Sequence, residues 1–178
     1  MGGYFNEPSS QETPDTQMTL YEYADGTAFE FATRGEFTND EGTQKIGNLF
    51  YGSKGWVWID GDGRKWQSYM GPKNEKGPGA DSPPESGGSD PLEPTSIEFP
   101  HYQNFVDAIR AGDPKLLTCD VFEGHLSSSL PHLGNISYQV GHNLVFDGKS
   151  ETFVDDKKAD RLLTRDYRKG FELPKSFT

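Results

Sequence analysis

Residues 16–35, TQMTLYEYADGTAFEFATRG, alternate apolar and polar side chains on either side of an Asp-Gly pair. A period of two is the signature of a half-buried strand, because successive side chains point to opposite faces. Met18, Leu20 and Glu22 fall on one face, Tyr21 and Tyr23 on the other, and Phe29 and Phe31 resume the alternation beyond the turn. Asp25-Gly26 is expected to supply the positive φ angles of a two-residue hairpin turn. An antiparallel pair is therefore the element around which the rest must be arranged.

The stretch KIGNLFYGSKGWVWIDGDGRKWQSYMG, residues 45–71, predicts two or three further strands, punctuated at Ser53-Lys54-Gly55 and Gly61-Asp62-Gly63. Aromatic residues occupy both faces of NLFYG and WVWID, so both faces of this sheet need cover: helices on one, a second subunit on the other. Residues 71–96 are mostly Gly, Pro and Ser without apolar periodicity, and predict a long loop. Residues 1–15 predict an extended lead-in.

PHYQNFVDAIRAGDP, residues 100–114, predicts a short helix with Tyr102, Phe105 and Ile109 on one stripe and a stop at Gly112 and Pro114. A second helix follows Asp120, its expected N-cap, over 121–141. NLVFDGKSETFVDD, residues 143–156, predicts a second hairpin turning near Asp147-Gly148, and ADRLLTRDYRKGFELP, residues 159–174, a short helix or turn with an extended tail. Strands, loop, helices and hairpin in that order define an α+β class: an open-faced, largely antiparallel sheet with helices packed on one face. The length of 178 residues suits one domain, 1–178, carrying the 71–96 loop.

The second helix concentrates chemistry-bearing residues. On a 100° wheel Leu126, Leu130, Leu133 and Val140 share an apolar sector with Ile136 at its edge. Ser128, His132, Asn135 and Gln139 gather opposite, with His125 at the border. His125 and His132 stand two turns, about 10 Å, apart, too far to share a metal ion or a proton. Pro131 removes a backbone donor and is expected to kink or split the helix. Ser127, Ser128 and Ser129 lack the Gly-x-Ser-x-Gly elbow of a serine nucleophile.

The net charge of −11 repels phosphate backbones and anionic membranes, which argues against nucleic acid and membrane partners. No apolar run approaches the length of a bilayer span. The first fifteen residues lack the basic and apolar regions of a signal peptide. The compartment is cytoplasmic by default, and a longer precursor would carry any export signal upstream. Cys119 is the single cysteine, and with His101, His125, His132 and His142 it shows no zinc-ligand spacing. GDGRKW, residues 61–66, lacks the third glycine of a dinucleotide fingerprint, and no P-loop is present. No complete catalytic constellation is legible.

Five segments in order, residues 11–35, 39–61, 101–113, 123–141 and 162–174, resemble the C-terminal half of the Gfo/Idh/MocA oxidoreductases, in particular their bacterial-type subgroup. The resemblance implies a substrate-shaping and oligomerising domain of an NAD(P)-dependent sugar or polyol oxidoreductase whose nucleotide-binding Rossmann half lies earlier in a longer chain. GGYF, residues 2–5, resembles an internal segment of that family. It also implies a homodimer through the open sheet face. The family's glycine-rich loop, Glu-Lys-Pro lysine and Asp-x-x-x-His pair belong upstream of these residues, so no catalytic, cofactor-binding or metal residue is assigned within 1–178. NAD(P) is implied for the full-length protein and no cofactor for this chain. Candidate sugar-binding residues, by residue type, are His125, His132, Asn135, Asn39 and Trp56. The alternative is a free-standing, non-catalytic carbohydrate-binding or assembly module that has kept the fold.

Overall fold

The computed structural model describes residues 1–5, 10–35, 45–61, 63, 65–81 and 98–173. Two compact units are present, one built from Met1–Glu36 with Val121–Thr178 and the other from Phe37–Asp120. Every strand pairing among the described residues is antiparallel, and the sheets are open. The α+β class expected from the sequence is the one observed. The described strands form sheets of three, four and two strands.

In the first unit the 16–35 hairpin forms as expected, from β2 (Thr16–Glu22) and β3 (Ala28–Arg34), with Met18 opposite Ala32 and Tyr21 opposite Phe29. Its turn differs from the expectation. Tyr23 N donates to Thr27 O, and only Gly26 takes positive φ, at 83°. The loop is thus three residues closed by one left-handed glycine, and Asp25 serves instead by accepting from Thr27 N. Residues Gly2–Gly3 form β1 along β2. This short edge strand lies inside the expected lead-in, and Met1 N and O both bond to Met18.

Helix α2 (Val121–Val140) continues through Pro131 as one element, so of the expected kink or split the split does not occur. A proline in a helix interior costs roughly 3 kcal/mol, and beside it the helix is held by the Tyr21 bond to Leu130 O and by the packing of its C-terminal half on the hairpin. Its C-terminal half lies over the odd-numbered face of the hairpin. A Cβ on Gly134 would stand 2.8 Å from both Thr19 Oγ1 and Tyr21 Oη, so glycine permits the close crossing. Tyr21 Oη donates to Leu130 O, in the turn that Pro131 interrupts. The even-numbered face of the hairpin carries Met18 and Leu20, both exposed.

The second predicted hairpin is also present but short, β8 (Phe146–Asp147) against β9 (Thr152–Phe153). Helix α3 (Lys157–Asp160) follows, N-capped by Asp156, whose carboxylate accepts from Lys158 N and Ala159 N. Ile136, Phe153 and Ala159 form the buried centre of this unit, with Leu133, Val140, Leu144 and Phe146 around them.

The second unit holds the meander β4 (Gly47–Gly52), β5 (Gly55–Asp60), β6 (Lys65–Met70) and β7 (Glu75–Asp81). Strand β7 corrects the loop reading of 71–96 at its start, while residues 82–97 lie outside the described residues. The composition misled because the strand is stapled by its neighbour's side chains. Gln67 Nε2 donates to Gly77 O and Pro78 O, and Ser68 Oγ donates to Pro78 O. These bonds hold a bulge opposite Ser68, where a proline is tolerated in a sheet.

Helix α1 (Glu98–Ala111) ends as predicted at Gly112, at φ 63°. Asp113 N donates to Ala108 O and Gly112 N to Ile109 O, the pairing of a Schellman cap. Asn104 ties the helix to the following 3₁₀ turn (Pro114–Leu116) by donating to Leu116 O and accepting from Thr118 N. The predicted stripe, Tyr102, Phe105 and Ile109, is exposed, and among the described side chains of α1 Ala108 is buried.

Candidate functional site

Three of the five sequence-nominated residues lie on α2. His125 is on its exposed N-terminal half, where Nε2 pairs with Glu151 Oε1 at 2.7 Å. Glu151 sits in the β8–β9 turn with φ of 52°. The contact therefore ties the start of α2 to a hairpin tip 26 residues away. His132 is exposed and Asn135 half-buried, and neither makes a side-chain hydrogen bond among the described residues. Asn39 lies outside the described residues.

The serines between the histidines are occupied by their own helix. Ser127, Ser128 and Ser129 donate to the carbonyls of Glu123, Gly124 and His125 at 2.8, 2.6 and 2.8 Å. A hydroxyl engaged in this way is held by its own backbone.

His142, just beyond α2, pairs with Asp156 Oδ2 at 2.6 Å. The Asp156 carboxyl is held below the ordinary carboxylate range, first by the Ala159 N–H and then by His142. Its chemistry is that of a helix cap with a cation-capable neighbour. Asp147 is lowered in the same manner by Ser150 and the Lys149 N–H. The Tyr21 phenol is raised by burial, partly offset by its hydrogen bond with Thr19. Among the described residues no group of three or more His, Cys, Asp or Glu is placed to hold a metal ion.

Trp56 occupies the middle of an aromatic ladder in the second unit. Its ring stacks on Tyr69 at 4.6 Å and on Tyr51 at 6.3 Å, and its Nε1 donates to Asn74 Oδ1 at 3.0 Å. Strand β5 lies between β4 and β6, so the two neighbours cover opposite faces of the indole. The free ring face of the ladder is that of Tyr51, on the edge strand and highly exposed. A shallow cleft of about 380 Å³ beside the ladder is lined by Tyr51, Lys54, Trp56 and Met70 among others. Sequence reasoning found Trp56. It missed Tyr51 and Asn74, which only the strand register and the turn at Asn74, φ 53°, bring to it.

Open antiparallel sheets with a helix laid over one face define an α+β domain in which the other sheet face stays available. Residues 92–173, just under half of the chain, match the family model described as the oxidoreductase family C-terminal alpha/beta domain, that of Gfo/Idh/MocA proteins. The resemblance read from the sequence is shown over this span, which contains α1, α2, the β8–β9 hairpin and α3. No curated protein and no solved structure matches the chain.

Proposed function

We propose that this chain is the substrate-shaping and oligomerising platform of an NAD(P)-dependent sugar or polyol oxidoreductase, working with a separate nucleotide-binding half that carries the hydride chemistry. The match of residues 92–173 to the oxidoreductase C-terminal domain carries this reading. Two features support it. The even-numbered face of β2–β3 leaves Met18 and Leu20 uncovered, as a surface meant for a second copy would. The ladder also leaves one aromatic face, Tyr51, for the apolar side of a sugar ring, with Asn74 and Lys54 nearby to pair hydroxyls.

The deciding experiment is sedimentation of the chain over a concentration series, with and without simple sugars and polyols, alongside titration with NADH and NADPH. The expected outcome is a dimer that Leu20→Asp converts to monomer, with no nucleotide binding. A monomer at every concentration, or saturable binding of either nucleotide by this chain alone, would overturn the reading.

A further inference from the structure

The chain is acidic overall, yet one stretch of it has the opposite sign. Residues 157–169, KKADRLLTRDYRK, hold Lys157, Lys158, Arg161, Arg165, Arg168 and Lys169 against Asp160 and Asp166, a local charge of +4. With −11 for the whole, the remaining residues carry −15. All six cations are exposed, and none is in an ion pair among the described residues. Two stand over aromatic rings, Arg165 over Tyr167 at 5.5 Å and Arg168 over Phe171 at 4.1 Å. A guanidinium over a ring still offers N–H groups to carboxylates. Leu162, Leu163, Phe171 and Leu173 interleave the charges and are also exposed. With Glu172 counted, residues 157–173 carry +3, so the strip is basic and apolar together.

The turn end of the open β2–β3 face has the complementary character. Met18 and Leu20 stand on this face with Glu22 and Glu30, Leu20 directly opposite Glu30 in the register, while Arg34 lies at the far end of the same face. Both glutamates are exposed, and neither is in an ion pair among the described residues. Strip and face belong to the same compact unit but do not cover each other within one copy: Leu20 is 70% exposed and Phe171 65%.

We infer that the 157–173 strip of one copy docks on the Met18–Leu20–Glu22–Glu30 sheet face of a second copy, and reciprocally, in a two-fold dimer. A contact of this kind buries apolar side chains at its centre and sets opposite charges around them. Reciprocity follows from two-fold symmetry, in which every strip finds one face and the interface closes. A long polyanion such as nucleic acid is disfavoured as occupant, because the −15 outside residues 157–169 repels it. The inference rests on the proposed sheet-face dimer and adds what lies on that face.

A charge swap tests it. Variant one carries Arg165→Glu, Arg168→Glu and Lys169→Glu; variant two carries Glu22→Lys and Glu30→Lys. All five positions are exposed, and circular dichroism confirms that each variant folds. In sedimentation at low salt, each variant alone is expected to dimerise at least about tenfold more weakly than the parent. An equimolar mixture restores association, since both contacts in the mixed dimer then pair opposite charges. Raising salt weakens the parent dimer in the same direction. If variant one dimerises like the parent while Leu20→Asp still gives monomer, the strip is wrong and the sheet-face dimer stands. If Leu20→Asp leaves the dimer intact, or the parent is a monomer throughout, both fall.

Discussion

Helices α1 and α2 carry the same kind of sequence signal and meet different fates. On α1, Tyr102, Phe105 and Ile109 recur at helical spacing, yet they are 59, 54 and 62% exposed. On α2, Gly134 and Ile136 are buried, and Ile136 joins the centre of its unit. The difference lies less in hydrophobicity than in what each helix can approach. Gly134 removes the side chain at the crossing point, so the helix backbone comes down onto Thr19 and Tyr21. Among the described residues, helix α1 is tied through Asn104 to the 3₁₀ turn after it. A stripe marks the face a helix would bury, and a small residue opposite a matching surface decides whether it does so in this chain.

The comparison is sharpest for two isoleucines, one in each helix. Ile136→Ala leaves a cavity against Phe153 and Ala159 and is expected to cost about 3 kcal/mol in urea unfolding. Ile109→Ala touches an exposed site and should stay within about 0.5 kcal/mol. Equal losses at both positions would show that α1 is covered in solution.

The next effect is at the crossing itself. On a free helix surface Gly→Ala gains about 1 kcal/mol from helix propensity. At Gly134 the added methyl meets the Thr19 and Tyr21 oxygens, and the gain is expected to vanish. Gly134→Leu should lose roughly 1–3 kcal/mol by overpacking. A full propensity gain for Gly134→Ala would mean that the helix does not sit on the hairpin as described.

Much of the architecture was legible because its signals are local. The alternation of Met18 to Glu22 and Phe29 to Phe31 fixed the first hairpin, and Gly112 the end of α1. Three misreadings share a cause, which is that the deciding contact is distant or made by an unremarkable residue. Strand β7 has the composition of a loop and is held by Gln67 and Ser68 of its neighbour. Helix α2 is not split at Pro131, where a distant hairpin residue, Tyr21, bonds the neighbouring Leu130 O. The stripe of α1 is exposed, because a helical period says nothing about where a partner lies. The candidate site fared likewise. His125 and Trp56 could be nominated by type, but Glu151 and Asn74 could not, since no spacing rule links residues 26 or 18 positions apart; Tyr51, five residues from Trp56 across the predicted turn, needed only the hairpin register.

The smallest expected effect concerns Asp156, and it separates a cap from a titrating site. Its carboxyl is held below the ordinary range by the Ala159 N–H and by His142. A group with a depressed folded pKa stabilises the fold above its unfolded value of about 3.9, and that contribution is lost as pH falls through the folded value. Amide exchange at Lys158 and Ala159, corrected for its intrinsic pH dependence, should therefore accelerate as pH drops from about 5 toward 3. Asparagine caps a helix nearly as well as aspartate and does not titrate there. In Asp156→Asn the same amides should show flat corrected exchange across that window. A parallel acceleration in both proteins would place the acid sensitivity elsewhere, and the His142–Asp156 contact would then be a bystander to the packing of α3.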